Sequence, residues 1–179
     1  MQDGTGPRPL LDADTLAFAV RVFGYARGGY TTELAELFGM GLPANLRNER
    51  GDSLLMLACY HGHAGTAALI LDHGGDPELA NDRGQTPLAA AAFKGDVAAV
   101  RLLLARGALV DGGVPGGHTA LMTAAMFDRT DIVALLLAHA ADPRRRDAAG
   151  LDAEAMARKT GAENAAAQLA RLRARAAEG

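Results

Sequence analysis

The sequence predicts an all-α solenoid of about five stacked helix-turn-helix units joined by short hairpin-like finger loops. Three observations predict this architecture: a repeat of fixed length, a helix-capping residue at the same place in each repeat, and two apolar segments per repeat. The chain has 179 residues, of which 49% are apolar and 22% are charged. It is therefore long enough for one well-filled domain, and its composition is not that of a disordered chain.

The repeat is clearest in its first helix. Glycines recur every 33 residues, at Gly51, Gly84, Gly117 and Gly150. Two residues later stands a side chain that can accept a hydrogen bond from a free backbone N–H at a helix start. These caps are Ser53, Thr86, Thr119 and Asp152. An alanine column follows at Ala58, Ala91, Ala124 and Ala157, where small side chains let neighbouring helices approach. Each unit therefore begins with a glycine turn and a capped helix.

A tight turn and a second helix complete each unit. Gly62, Gly95 and Gly161 fit the left-handed turn that ends a helix, and Asp128 interrupts their column. Aliphatic triplets then recur at 69–71, 102–104 and 135–137. Such helices hold only about ten residues, fewer than the ~12–15 that an isolated helix needs in water. The units can persist only by stacking on one another.

This pattern resembles the ankyrin repeat. The segments that carry the resemblance are Asp82–Gly95, which contains Thr-Pro-Leu-Ala, and Val100–Ala108, which contains Arg-Leu-Leu-Leu-Ala-Arg-Gly. Full repeats are predicted at 48–80, 81–113 and 114–146, and a weaker C-terminal cap repeat at 147–179. The family's Thr-Pro-Leu-His is altered at 53–56, 86–89 and 119–122, where the histidine is missing. The glycine-rich finger at 113–117 is expected to be looser than its neighbours.

The two ends are predicted to be caps. Residues 1–13, rich in Gly and Pro, are expected to be a flexible segment, and 14–47 a degenerate N-terminal cap repeat within a single domain, 14–179. Its helices are predicted from two apolar stripes: Leu16, Val20 and Phe23, then Leu34, Leu37 and Phe38. One apolar column of the interior repeats becomes polar at both ends, at Glu36 and Gln168, which favours a monomer.

Composition and isolated motifs exclude several functions. The net charge of −3 argues against nucleic acid as a partner, and no apolar run suggests a membrane span, so we expect a cytoplasmic protein. Cys59 is the only cysteine, and its apolar neighbours predict burial. Scarce lysine and abundant alanine indicate a GC-rich, bacterial type of coding sequence.

No enzyme is predicted, and no cofactor or metal. The loop Gly112–Thr119 approaches a phosphate-binding loop, but histidine replaces its lysine and no apolar strand precedes it. His61 and His63 lack the third ligand that a zinc site needs. Ser53 is the only serine and occupies a capping column. The tripeptide Arg50-Gly51-Asp52 has no secretion signal to support an adhesion function.

The resemblance implies a scaffold that binds another protein through the finger tips and the exposed, concave side of the first helices. Carried onto this chain, the candidate tip residues are Glu49, Arg50, Asp52, Asp82, Arg83, Gln85 and His118. The candidate helix residues are Tyr60, His61, Phe93, Lys94, Met126 and Phe127, which should form one stripe. Two alternatives stay open: a nucleotide-dependent enzyme using the Gly112–Thr119 loop, and a sensor of a small molecule or oligonucleotide on the aromatic stripe.

Overall fold

The computed structural model describes residues 12–178, and side chains as far as residue 175. These residues form ten α-helices and no strand; one antiparallel bridge pairs Arg47 with Ser53. The helices are α1 (Ala13–Gly28), α2 (Thr31–Gly39), α3 (Leu54–His61), α4 (Ala64–Asp72), α5 (Pro87–Lys94), α6 (Val97–Ala105), α7 (Ala120–Met126), α8 (Thr130–Ala138), α9 (Ala153–Thr160) and α10 (Glu163–Glu178). The predicted all-helical class is confirmed.

The helices lie in two layers. Consecutive odd-numbered helices, α1 through α9, pack against one another and form an inner layer. Each even-numbered helix packs on the helix before it, and consecutive even-numbered helices, α2 through α10, pack against one another and form an outer layer. Every unit is thus one inner and one outer helix, and a finger connects each of the first four units to the next.

The repeated residues act as the sequence predicts. Ser53, Thr86, Thr119 and Asp152 each accept a hydrogen bond from the backbone N–H three residues later, at 2.9–3.2 Å. The alanines 58, 91, 124 and 157 are completely buried. Because no side chain beyond Cβ separates the backbones there, neighbouring inner helices can pack closely. Helix α3 is buried from Leu54 to Cys59, so its first six residues all face protein.

The N-terminal cap departs from prediction in one respect. Its first helix buries Val22, Phe23 and Ala26, whereas Leu16 and Val20 are 50% and 70% exposed. The predicted stripe is therefore right at Phe23 and wrong at Leu16 and Val20. Counting 33 residues back from the buried Leu55, Met56 and Cys59 does give the buried face. The second stripe is right, since Leu34 and Phe38 are buried and Leu37 packs against the core.

The boundaries of the first helix also differ slightly from expectation. Asp12 accepts a hydrogen bond from the Thr15 N–H at 2.7 Å and caps a helix that begins at Ala13. The other residues of the predicted flexible segment, 1–11, lie outside the described residues.

Candidate functional site

Three aromatic rings from successive repeats form a continuous row. The rings of Tyr60 and Phe93 stack with centroids 4.9 Å apart and planes 11° from parallel. Phe93 meets Phe127 edge to face, at 4.7 Å and 86°. Tyr60 is 41% exposed and Phe127 is 40% exposed, while Phe93 between them is half-buried. We call these three residues the aromatic row.

The row follows from where the inner helices end. Tyr60 and Phe93 lie 33 residues apart, each just before the end of its helix. In the next repeat the equivalent residue is Met126, yet the ring that continues the row belongs to Phe127. Helix α7 ends at Met126, so Phe127 is already its cap residue. The sequence placed both residues in the stripe, but spacing alone did not distinguish them.

Asp128 replaces the glycine of the column at this turn. Its backbone is left-handed, with φ of 55°, a conformation that aspartate tolerates better than most residues. Its carboxylate accepts from the Ala165 N–H at 2.7 Å and from the Asn164 amide at 2.8 Å. These bonds hold the pKa of Asp128 below its ordinary value of 3.8. Asp128 therefore ties the turn between α7 and α8 to the start of α10.

Basic side chains flank the row. Lys94 and His61 are exposed beside it, and Lys94 extends its stem over Gly62. Desolvation lowers the pKa of His61, and electrostatic repulsion from the neighbouring basic residues His63, Arg27 and Lys94 lowers it further. Basic side chains therefore lie close together here, although the chain as a whole has a net charge of −3.

Asparagine side chains stabilise the first two finger loops by hydrogen bonds to the backbone. The sequence analysis did not predict this role. Asn48 Oδ1 accepts from the N–H groups of Arg50 and Asp52, and Asn81 Oδ1 accepts from those of Arg83 and Gln85. The recurrence of asparagine at this spacing was the available signal. The Asn81 amide also donates to Asp52 Oδ1 at 2.8 Å and so links one finger to the next.

Asp52 is a correction to the predicted site. Only 8% of the residue is exposed, and its carboxylate accepts from the Asn81 and Asn48 amides. The following finger covers it. Gln85, its equivalent one repeat later, is exposed, and the next finger carries Val114 at the position equivalent to Asn81. Asp52 therefore positions the fingers and presents no free carboxylate.

The other predicted tip residues are exposed. Glu49, Arg50, Arg83 and Gln85 all face solvent, and Asp82 forms an ion pair with Arg47 at 3.1 Å. This pair is exposed on both sides and contributes at most about 1 kcal/mol. The exposed residues of the finger tips therefore carry charges of both signs.

His118 lies apart from these residues, in the third finger. Its Nε2 is 3.4 Å from Asp147 Oδ2. Asp147 Oδ1 accepts from the N–H groups of Leu151 and Ala149, and these bonds, with His118 nearby, keep the pKa of Asp147 below 3.8.

The glycine-rich loop does not resemble a phosphate site in its geometry. The Thr119 hydroxyl accepts the Met122 N–H at 3.1 Å, so it serves as a helix cap. The Glu78 carboxylate lies close to Gly112 and accepts the Leu109 N–H at 2.8 Å. A carboxylate at the loop would repel a phosphate. The loop gives no support to nucleotide binding.

The remaining motifs have structural explanations. His63 Nε2 lies 2.8 Å from the Arg27 carbonyl oxygen, which can only accept, so the ring donates to it. Burial raises the pKa of Cys59 to about 12, which makes its thiol unreactive. Within residues 12–178, no three His, Cys, Asp or Glu side chains are grouped to hold a metal. None of the described helices is long and apolar enough to cross a membrane.

The stacked helix pairs, capped inner helices and fingers define a helical repeat protein whose exposed side chains form an elongated surface. A family model for ankyrin repeats, described as three copies, matches residues 22–112 and 76–147. Together these matches span more than half of the chain, and the chain belongs to the ankyrin-repeat family. Ankyrin repeats are generally protein-binding modules.

One curated relative supports the same assignment. A Pseudomonas aeruginosa protein, named as an ankyrin repeat protein, is 56% identical over 63 residues. The alignment covers 35% of this chain and 37% of the relative. The chain thus matches about a third of the relative's length, and it has a bacterial homologue.

Proposed function

We propose that this chain is a non-enzymatic binding module of the cytoplasm that, as a monomer, holds a partner protein against the aromatic row on its concave face. The observation that carries the proposal is the row itself. Aromatic residues make up only 4% of the chain, yet Tyr60, Phe93 and Phe127 touch one another on the surface. Exposed rings of this kind are typical of binding hot spots, because they bury a large area with few rotatable bonds.

The geometry around the row supports the same proposal. The row lies at the ends of inner helices whose first six residues are all buried, so its rings are held by a closely packed layer. A preorganised surface loses little conformational entropy on binding. The finger residues Glu49, Arg50, Arg83 and Gln85 are exposed and can add polar contacts at the rim of the interface.

Site-specific photo-crosslinking tests the proposal without damaging the fold. Benzoylphenylalanine at position 60 or 127 keeps an aromatic side chain at a site that is about 40% exposed. Position 18 is the matched control, since Phe18 is 38% exposed on α1 and is not part of the row. After irradiation in a lysate of the source organism, positions 60 and 127 should give the same crosslinked protein, identified by mass spectrometry. Equal crosslinking at position 18, or none at 60 and 127, would reject the aromatic row as the binding surface.

A further inference from the structure

A basic cleft lies beside the aromatic row. It has a volume of about 220 Å³ and lies between the tips of the first two fingers and the ends of α1 and α3. Three arginines line it: Arg27 from the last turn of α1, and Arg50 and Arg83 from equivalent positions of the two fingers. Tyr60 of the row and His61 form part of its wall. We call this cleft the arginine cleft.

The arginines are not neutralised by the protein. None of the three forms an ion pair with a carboxylate among the described side chains. The one carboxylate that lines the cleft belongs to Asp52, which already accepts from two side-chain amides. Three arginines without an acidic partner in the described part of the chain therefore line the cleft, beside one carboxylate whose hydrogen bonds are already used. Elsewhere Arg47, Arg106, Arg158 and Arg173 all have acidic partners.

The repeat explains why these charges lie next to the row. Arg27 is 33 residues before Tyr60, so it occupies the row's own column in the N-terminal cap. Arg27 and Tyr60 both line the cleft, and the other neighbour of the Tyr60 ring is Phe93, on which it stacks. An occupant that reaches from the cleft to the row must combine negative charge with an apolar side chain.

We infer that the arginine cleft binds carboxylates of an acidic peptide segment whose neighbouring aromatic or aliphatic side chain rests on the aromatic row. This inference rests on the proposed function and names the chemistry of its partner. Guanidinium groups bind carboxylates through paired, charge-assisted hydrogen bonds. A densely charged nucleic acid is disfavoured because a chain with a net charge of −3 has no overall attraction to a polyanion.

The probe is a fluorescent peptide with four glutamates around a central phenylalanine, titrated by fluorescence anisotropy at low and at physiological salt. The wild-type protein should bind it, and higher salt should weaken the binding. Combining Arg27→Gln, Arg50→Gln and Arg83→Gln should weaken binding at least ~tenfold, since charge-assisted hydrogen bonds are lost. The matched control combines Arg101→Gln, Arg145→Gln and Arg171→Gln, which remove three exposed arginines elsewhere and change the net charge equally.

A second readout locates the peptide. Because a carboxylate favours the charged form of a nearby imidazole, the peptide should raise the pKa of His61, measured by NMR. The groups that act on His61 without peptide are Arg27, His63 and Lys94. An unchanged His61 titration in the saturated complex would place the peptide elsewhere and overturn the inference.

The remaining results of these experiments each support or overturn the inference. Equal loss in both triple variants, with circular dichroism showing both folded, would mean a general charge effect and would overturn the inference. Tighter binding of a short oligothymidylate than of the peptide would replace the acidic peptide by a single-stranded nucleic acid. If the peptide does not bind but crosslinking through positions 60 and 127 succeeds, the inference about the arginine cleft is wrong and the proposed function stands. Peptide binding without such crosslinking would support the cleft and reject the proposed function.

Discussion

The Asn81 side-chain amide donates to Asp52 across 29 positions of sequence, at 2.8 Å, and both residues are buried. The other amide hydrogen of Asn81 reaches Gln85 Oε1 at 3.1 Å, and its oxygen accepts two backbone N–H groups. All the hydrogen-bonding capacity of this side chain is therefore used. One asparagine shapes its own finger and fastens it to the finger before.

Asp52→Ala should lower the free energy of unfolding by about 1–3 kcal/mol, because it leaves a buried amide donor of Asn81 without its acceptor. Urea denaturation followed by circular dichroism measures the loss. Asp82→Ala is the control, since its exposed pair with Arg47 contributes at most about 1 kcal/mol. Equal effects of the two substitutions would show that the link between the fingers does not stabilise the stack.

In the third finger, a substitution can add the side-chain hydrogen bonds that the first two fingers have. Val114 occupies the position of Asn48, Asn81 and Asp147, and it cannot accept the backbone N–H groups that those side chains accept. The turn itself is present, since the Gly117 N–H still donates to the Val114 carbonyl at 2.9 Å. Val114→Asn should therefore stabilise the protein by about 0.5–1.5 kcal/mol for each hydrogen bond gained. A lower melting temperature than wild type would contradict this.

Overpacking tests the alanine column. Ala91 is completely buried in α5, which packs between α3 and α7. Ala91→Ile should cost about 1–3 kcal/mol of unfolding free energy, because the larger side chain forces the inner helices apart. Ala98→Ile, at an exposed position of α6, is the matched control and should have a much smaller effect. Similar melting temperatures for the two variants would mean that the inner layer is not closely packed at Ala91.

The carboxylate of Asp128 should make the stability of the fold depend on pH in the acidic range. Its pKa is lowered in the folded protein by the bonds to Ala165 and Asn164, so its charge stabilises the fold above the ordinary pKa of 3.8. That stabilisation disappears as the pH falls through the lowered pKa. Asp128→Asn keeps an acceptor but lacks the charge, so wild type should be the more stable near neutral pH, and the difference should shrink in acid. Urea midpoints from pH 7 to pH 2 measure it; a difference independent of pH would contradict the assigned cause.

The repeat spacing determined what could be predicted from the sequence. Positions shared by the last four units were found correctly, including the caps from Ser53 to Asp152 and the buried alanines. Errors arose where units differ. The buried face of α1 was misassigned from a local stripe through Leu16 and Val20, although the spacing from Leu55 pointed to Val22.

The candidate site shows the same limit. The aromatic columns were predicted, but the edge-to-face contact of Phe127 depends on a helix that ends one residue early. The burial of Asp52 depends on a side chain from the next finger, and Arg27 faces its cleft only because α1 continues the inner layer. Such relations join residues of different units, which a single column of the repeat does not show.

The most direct test of the central claim is the affinity of the crosslinked partner, once it is purified, for proteins altered in the row. Truncating one hot-spot aromatic costs about 2 kcal/mol or more, and about 1.4 kcal/mol is tenfold in affinity. Isothermal titration calorimetry should therefore give a dissociation constant raised more than ~tenfold for the double variant Tyr60→Ala, Phe127→Ala. Phe18→Ala, with similar exposure outside the row, should bind like wild type. A folded double variant with wild-type affinity would contradict the claim that the aromatic row holds the partner.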